Sequence, residues 1–214
     1  MRTHLLLAAV TAAGGLAAAS SALAQALPPP AKEVSADKLV INMLPAKGGA
    51  KLKVTTPAFK DGGDIPFENT LYRGNHFPGL AWSKGPKATQ AYAIIMQDGD
   101  GNRGGDAILH WTMYNISDRT TSLEPNLANP PPPGAAYGPN VLGPHHIYEG
   151  PRTPMGPRHR YHFQVFALDT PISVDPNVDW AGLKAAITGH VLASGQIIGM
   201  GVADPTAPPR VPGH

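Results

Sequence analysis

The 214-residue chain carries 17 Lys and Arg against 15 Asp and Glu, a formal net charge of +2, and no cysteine. A balance this near neutrality supplies no long-range field for nucleic acid or an acidic membrane surface, and no basic run is interleaved with aromatics, so nucleic-acid binding is not expected. The lack of cysteine excludes thiol catalysis, iron–sulfur ligation and cysteine zinc sites, leaving His, Asp, Glu, Tyr, Ser and Lys to carry any site chemistry.

In chain order, Arg2 and His4 precede an apolar run from Leu5 to Ala19, and Ala22-Leu23-Ala24 supplies the small-x-small pattern read by signal peptidase. Gly14-Gly15 argues against an ordinary core helix. The run is also short for a membrane span, which needs about 20 apolar residues. Residues 1–24 therefore read as a signal peptide cleaved after Ala24, giving a periplasmic or secreted product with no membrane span. Residues 25–37, with Pro28-Pro29-Pro30, read as an extended, disordered linker, and residues 204–214 as a disordered tail. One domain is expected over 38–203.

Within that domain, short apolar runs broken by Gly and Pro (24 of each in the chain) predict a mainly β fold. The expected strands are Leu39–Met43, Leu52–Thr55, Ala91–Gln97, Ile108–Ile116, Tyr161–Leu168 and Gly195–Gly201. The run Tyr161–Leu168 is apolar on both faces, as a central strand should be. Trp180, Leu183, Ile187 and Val191 recur at helical spacing, with Asp179 as N-cap and Gly195 beyond the end, predicting one helix near the C-terminus. Residues 117–147, which include Asn129-Pro130-Pro131-Pro132-Pro133-Gly134, read as a long loop stiffened by proline.

Three polar clusters sit at strand ends. Asp98-Gly99-Asp100-Gly101-Asn102 resembles the start of a calcium loop, but the twelfth position is Leu109 rather than Glu and helical flanks are missing, so a metal is not expected. His110-Trp111 opens another strand. His159 and Tyr161, two apart, project to one face and together can donate to an anion, whereas Arg158 and Arg160 face the other way and read as solvated charges. The histidines at 145, 146, 159 and 162 lack zinc-site spacing. No Gly-x-Ser-x-Gly is present, so a hydrolase is the weakest reading and the chain is not expected to be an enzyme.

Taken together, these clusters resemble the phosphatidylethanolamine-binding protein family, which includes the Raf kinase inhibitor proteins and bacterial members. Thr56-Pro57-Ala58-Phe59, Asp61-Gly62-Gly63 and Ile65-Pro66 are similar to its opening motif. Gly74-Asn75 and Pro78-Gly79-Leu80-Ala81-Trp82 follow, then Asp98-Gly99-Asp100, then His110-Trp111. Tyr148-Glu149-Gly150-Pro151 through His159-Arg160-Tyr161 and Gly189-His190-Val191-Leu192-Ala193 complete the order. The chain departs from the pattern at Gly99 and Asn102, where the family has prolines, and at Arg152-Thr153-Pro154-Met155.

The resemblance implies a β-sandwich-like domain with a large central sheet and a helix near the C-terminus. It implies a small anion pocket built from Asp98, His110, Tyr148, His159 and Tyr161, walled by Pro78, Trp82 and Pro151, and needing no cofactor or metal. The ligand it implies is small and anionic or phosphorylated, such as phosphate or a phospholipid head group. A protein-interaction module that inhibits a kinase or protease is the alternative, with the 117–147 loop as its contact surface.

Overall fold

Residues 26–127, 130–144 and 146–207 are described by a computed structural model, and the leader expected over 1–24 lies outside them. The expectation of a mainly β fold with a large central sheet is met, among the described residues, by nine strands in two sheets. In chain order they are β1 (Ala50–Lys51), β2 (Val54–Thr55), β3 (Leu80–Trp82), β4 (Ala91–Arg103), β5 (Asp106–Ser117), β6 (Ser122–Leu123), β7 (Ala136–Tyr137), β8 (His159–Leu168) and β9 (Val191–Gly201). The larger sheet runs β1-β9-β8-β4-β5-β7 and the smaller β2-β3-β6. Pairing is antiparallel except between β1 and β9.

Period-2 alternation along β4 and β8 feeds two separate cores. Tyr92, Ile94 and Met96, with Tyr161, Phe163 and Val165, face the small sheet and pack with Val54, Leu80, Trp82 and Leu123. Ala93 and Ile95, with Phe166 and Leu168, face the other way, under Val40, Leu44, Leu183 and Ile187. Those last four residues belong to or flank two helices, α1 (Val40–Met43) and α2 (Trp180–Ile187). The central strands are thus buried on both faces, as the apolar run over 161–168 predicts.

Several local expectations are corrected. Leu39–Met43 is not a strand: the run is too short for periodicity to separate helix from strand, and polar side chains from the sheet beneath it capture its amides as α1. The segment 52–55 is divided, because Leu52 donates its N–H to the Ser194 carbonyl of β9 while Val54 joins the small sheet opposite Trp82. Asp179 caps α2, its side chain accepting from Gly182 N–H. That helix stops at Ile187 rather than reaching Val191, because Gly189 takes φ +79° and Val191 begins β9. Gly195 therefore lies inside β9. The 117–147 loop contains the short strands β6 and β7.

Residues 26–37, expected to be a disordered linker, lie along the domain: Ala31 N–H donates to Arg158 C=O and Val34 N–H to Gly99 C=O. At the other end, where a tail is expected over 204–214, Asp204 is buried and ion-paired with Arg73, and residues 208–214 lie outside the described residues. In both places backbone or side-chain polar groups at the domain surface find partners that composition alone does not reveal.

A histidine–aspartate–tyrosine candidate anion site

Asp98 and Tyr161 are direct cross-strand partners on β4 and β8, and His159 stands two residues before Tyr161 on the same face. His110 reaches that face by an irregularity. Met96 pairs with Trp111 but Gln97 pairs with Leu109, so β5 spends one extra residue, His110, in a bulge. A bulge re-aims a side chain, and this one brings the His110 ring edge-on to Tyr161, 5.2 Å between centroids.

Asp98 organises the cluster. It is 3% exposed. Its Oδ1 accepts the backbone N–H of Asp100 at 2.9 Å and of Gly101 at 2.7 Å, and its Oδ2 accepts from His159 Nδ1 at 2.8 Å. The loop can fold this tightly because residue 101 is Gly: a Cβ there would meet Asp98 Oδ2 at 2.8 Å and Ile108 at 2.6 Å. Burial alone would raise the Asp98 carboxyl, but the hydrogen bond and charge of His159, the charge of His110 and the Gly101 N–H outweigh it and hold it below the usual carboxylate range.

The two histidines respond in opposite directions. The hydrogen bond to Asp98 raises the His159 pKa above its ordinary value in spite of partial burial. Burial lowers that of His110, with the Asp98 charge and the Glu149 carbonyl opposing. His110 Nδ1 lies 3.2 Å from that carbonyl, which can only accept, so Nδ1 carries the proton. Burial beside the Asp98 charge also raises the Tyr161 hydroxyl well above its normal range, so it stays an O–H group, 3.1 Å from Thr153 Oγ1.

Of the residues expected at the site, the structure gathers Asp98, His110, His159 and Tyr161. Tyr148 is adjacent but differently employed. Its ring packs on Phe77 and Trp111 in the core, and its hydroxyl donates to Asn69 C=O at 3.0 Å. Pro151 is buried in the 148–153 segment, between the Glu149 carbonyl on His110 and the Thr153 hydroxyl on Tyr161. Pro78 is buried one residue past Phe77.

Trp82 is not a wall of this site. It packs edge-on against Tyr92, six residues before Asp98 on β4 and so ~20 Å along the strand. Arg160 and Arg158 are not simply solvated: Arg160 binds Asp100 through both its backbone N–H and its guanidinium, and Arg158 pairs with Asp64 at 2.9 Å. The braces contributed by Thr153, the Glu149 carbonyl and Arg160 carry no sequence signal of their own; only Asp100, the partner of Arg160, has one, in the Asp-x-Asp cluster.

The domain is thus sheet on sheet, and its central strands carry this braced, largely buried polar cluster. The phosphatidylethanolamine-binding protein family model matches residues 55–201, and the chain belongs to that family. A UPF0098 protein of Methanothermobacter thermautotrophicus is 34% identical over 154 residues, covering 70% of this chain and 97% of that one. Among solved structures, a phosphatidylethanolamine-binding protein homologue from Chlamydia trachomatis is 27% identical with a TM-score of 0.64, covering 72% of this chain and 99% of its own. Escherichia coli YbcL, described as a new member of the mammalian family, is 28% identical with a TM-score of 0.65, covering 72% and 100%.

Proposed function

We propose that the chain binds a small anionic or phosphorylated ligand at Asp98, His110, His159 and Tyr161, without turning it over, in the periplasm or outside the cell. The observation that carries the reading is the 2.8 Å bond from His159 Nδ1 to Asp98. It stabilises the imidazolium and turns its Nε2–H outward as a charged donor, beside the Tyr161 hydroxyl. The negative charge of Asp98 is offset by the imidazolium it holds and by the N–H groups of Asp100 and Gly101 on its other oxygen. The location rests on the N-terminal leader; among the described residues no helix is long and apolar enough to cross a membrane.

Calorimetric titration with inorganic phosphate tests this. Removing one charge-assisted donor costs about 1.5–3 kcal/mol, so His159→Ala should bind at least about 10-fold more weakly. Equal affinity in the variant would sink the reading, and phosphate release from an aryl phosphate by the wild type would show an enzyme instead. A second reading, a protein contact through the 117–147 loop, is favoured by the exposure of Leu142 (56%) and Ile147 (49%) there. That contact would be lost on Leu142→Asp while phosphate binding is kept.

A further inference from the structure

On the face of the large sheet that carries Gln97 and Leu109, the two helices leave the β4–β5 hairpin end uncovered, and a cavity of about 520 Å³ opens there. Gln97 and residues 106–109 form its floor, and Lys38, Met43, the 140–141 segment, and Trp180 and Lys184 of α2 form its walls. Gly104 and Gly105, at φ +68° and +95°, turn β4 into β5. Asp106 on the returning strand then pairs with Lys38 at 3.0 Å, which ties the hairpin tip to the segment before α1.

The polar groups of this lining sort into engaged and free. Gln97 Oε1 accepts Val40 N–H at 2.8 Å. Asn140 donates to the His110 carbonyl and to the Glu149 carboxylate, and its Oδ1 accepts Leu142 N–H. Asp106, the carboxylate of the lining, is held by Lys38. What remains is positive charge. Among the described residues, the Arg103 guanidinium reaches only the Val141 carbonyl, at 3.5 Å, and Lys184 Nζ lies 5.9 Å from the centroid of the Trp180 ring; neither meets a carboxylate. Between these cations the surface is apolar, made by Met43, Leu109, Val141 and the ring of Trp180, which is only partly buried.

We infer that this cavity is a second binding site, for a small aromatic carboxylate, with the carboxylate on Arg103 and Lys184 and the flat body against Trp180 and the apolar floor. The volume is that of a site for one small organic molecule. A guanidinium fork matches a carboxylate with two parallel N–H donors, and the ammonium of Lys184 adds a point charge. The indole supplies a broad flat face at little entropy cost. Both halves of the ligand are needed: an inorganic anion leaves the apolar lining in water, and a neutral ring gains nothing from the two cations. The inference uses residues on the opposite face of β4 and β8 from Asp98, His159 and Tyr161, so it does not depend on the anion-site reading above.

The test is calorimetric titration with naphthoate and with its neutral amide, while the indole N–H resonance of Trp180, assigned by Trp180→Leu, marks the place of binding. Naphthoate should bind about 10-fold tighter than the amide, the worth of one charge-assisted pair, and should shift the Trp180 resonance. In the double variant R103Q/K184Q that preference should vanish, with the affinity of the amide changed by less than about 2-fold, because these substitutions remove charge and leave the apolar lining in place. Arg103 is exposed and Lys184 is not in the core, so the double variant keeps the fold, which an unchanged melting temperature verifies. Trp180→Leu should weaken both ligands by about 3-fold or more, since the flat face serves each alike. Equal affinity for acid and amide, or a naphthoate affinity untouched in the double variant, overturns the role of the cations and with it the site. A Trp180 resonance that stays in place while naphthoate binds puts the ligand elsewhere and overturns the inference, as does no binding at all; phosphate binding at Asp98 and His159 would stand or fall separately.

Discussion

β4 and β8 carry a buried polar row on each face, and the two rows are finished differently. On the face toward the small sheet stand Asp98, His159 and Tyr161, whose bonds leave an imidazole edge unfilled. On the opposite face stand Gln97, His162 and Gln164, each 3% exposed or less, and these are turned to holding the N-terminal segment. Gln97 Oε1 accepts Val40 N–H at 2.8 Å and Gln164 Oε1 accepts Ile41 N–H at 2.6 Å, which satisfies two free donors in the first turn of α1. His162 Nδ1 meets Gln196 Oε1 at 3.1 Å. Histidines three residues apart on one strand thus end in different trades: one braced so as to keep an edge open, the other tied into the fabric.

The difference predicts separable failures, the largest on the structural face. Gln164→Leu keeps the volume but orphans the Ile41 N–H and takes a donor from Gln97 Oε1, which Gln164 Nε2 approaches at 3.1 Å. An unsatisfied buried group costs about 1–3 kcal/mol, so the urea midpoint should fall by an amount equivalent to about 2–3 kcal/mol with no change in slope. Phosphate affinity measured well below the transition should match that of the wild type. A loss of affinity there would mean that the two faces are not independent.

The histidines themselves come next in size. With the folded pKa of His159 raised, its stabilisation is complete below the unfolded value of about 6.5 and drains away as pH rises through the folded value. With that of His110 lowered, the stabilisation is complete above about 6.5 and is lost as pH falls through that value toward the folded one. In phosphate-free buffers, the stability advantage of the wild type over His159→Gln should shrink with rising pH, and its advantage over His110→Gln should grow. Each slope is capped at about 1.4 kcal/mol per pH unit, the limit for one proton. Two slopes of the same sign, measured by denaturation across pH 5 to 8, would mean that the two rings are not set in opposite directions.

The main strands, the single well-marked helix and its Asp179 cap were legible in the sequence because period-2 and helical apolar patterns are local signals. Legible too were Asp98, His159 and Tyr161, through their order and their shared strand face. His110 was placed there by its motif alone, since strict alternation puts it and Trp111 on opposite faces and only the bulge reverses this. The misreading of 39–43 has a similar origin: nothing local tells that Gln97 and Gln164, 57 and 123 residues downstream of their partners, will accept the α1 amides. Trp82 failed as a pocket wall because a motif conveys that a residue is needed, not which end of the strand it packs on.

The smallest effect tests the boundary between the two rows. Glu33 Oε1 lies 3.1 Å from His162 Nε2 without the alignment of a hydrogen bond, and the Glu33 side chain is 38% exposed. A loose, half-solvated contact of this kind contributes about 0.2–1 kcal/mol, so Glu33→Ala should lower stability by no more than that and leave phosphate binding untouched. The alternative is informative. If the variant loses more than about 3 kcal/mol, Glu33 is part of the buried row rather than its solvated edge, because removing one partner of a buried polar pair leaves the other unsatisfied. The two faces would then differ only in which one the N-terminal segment covers.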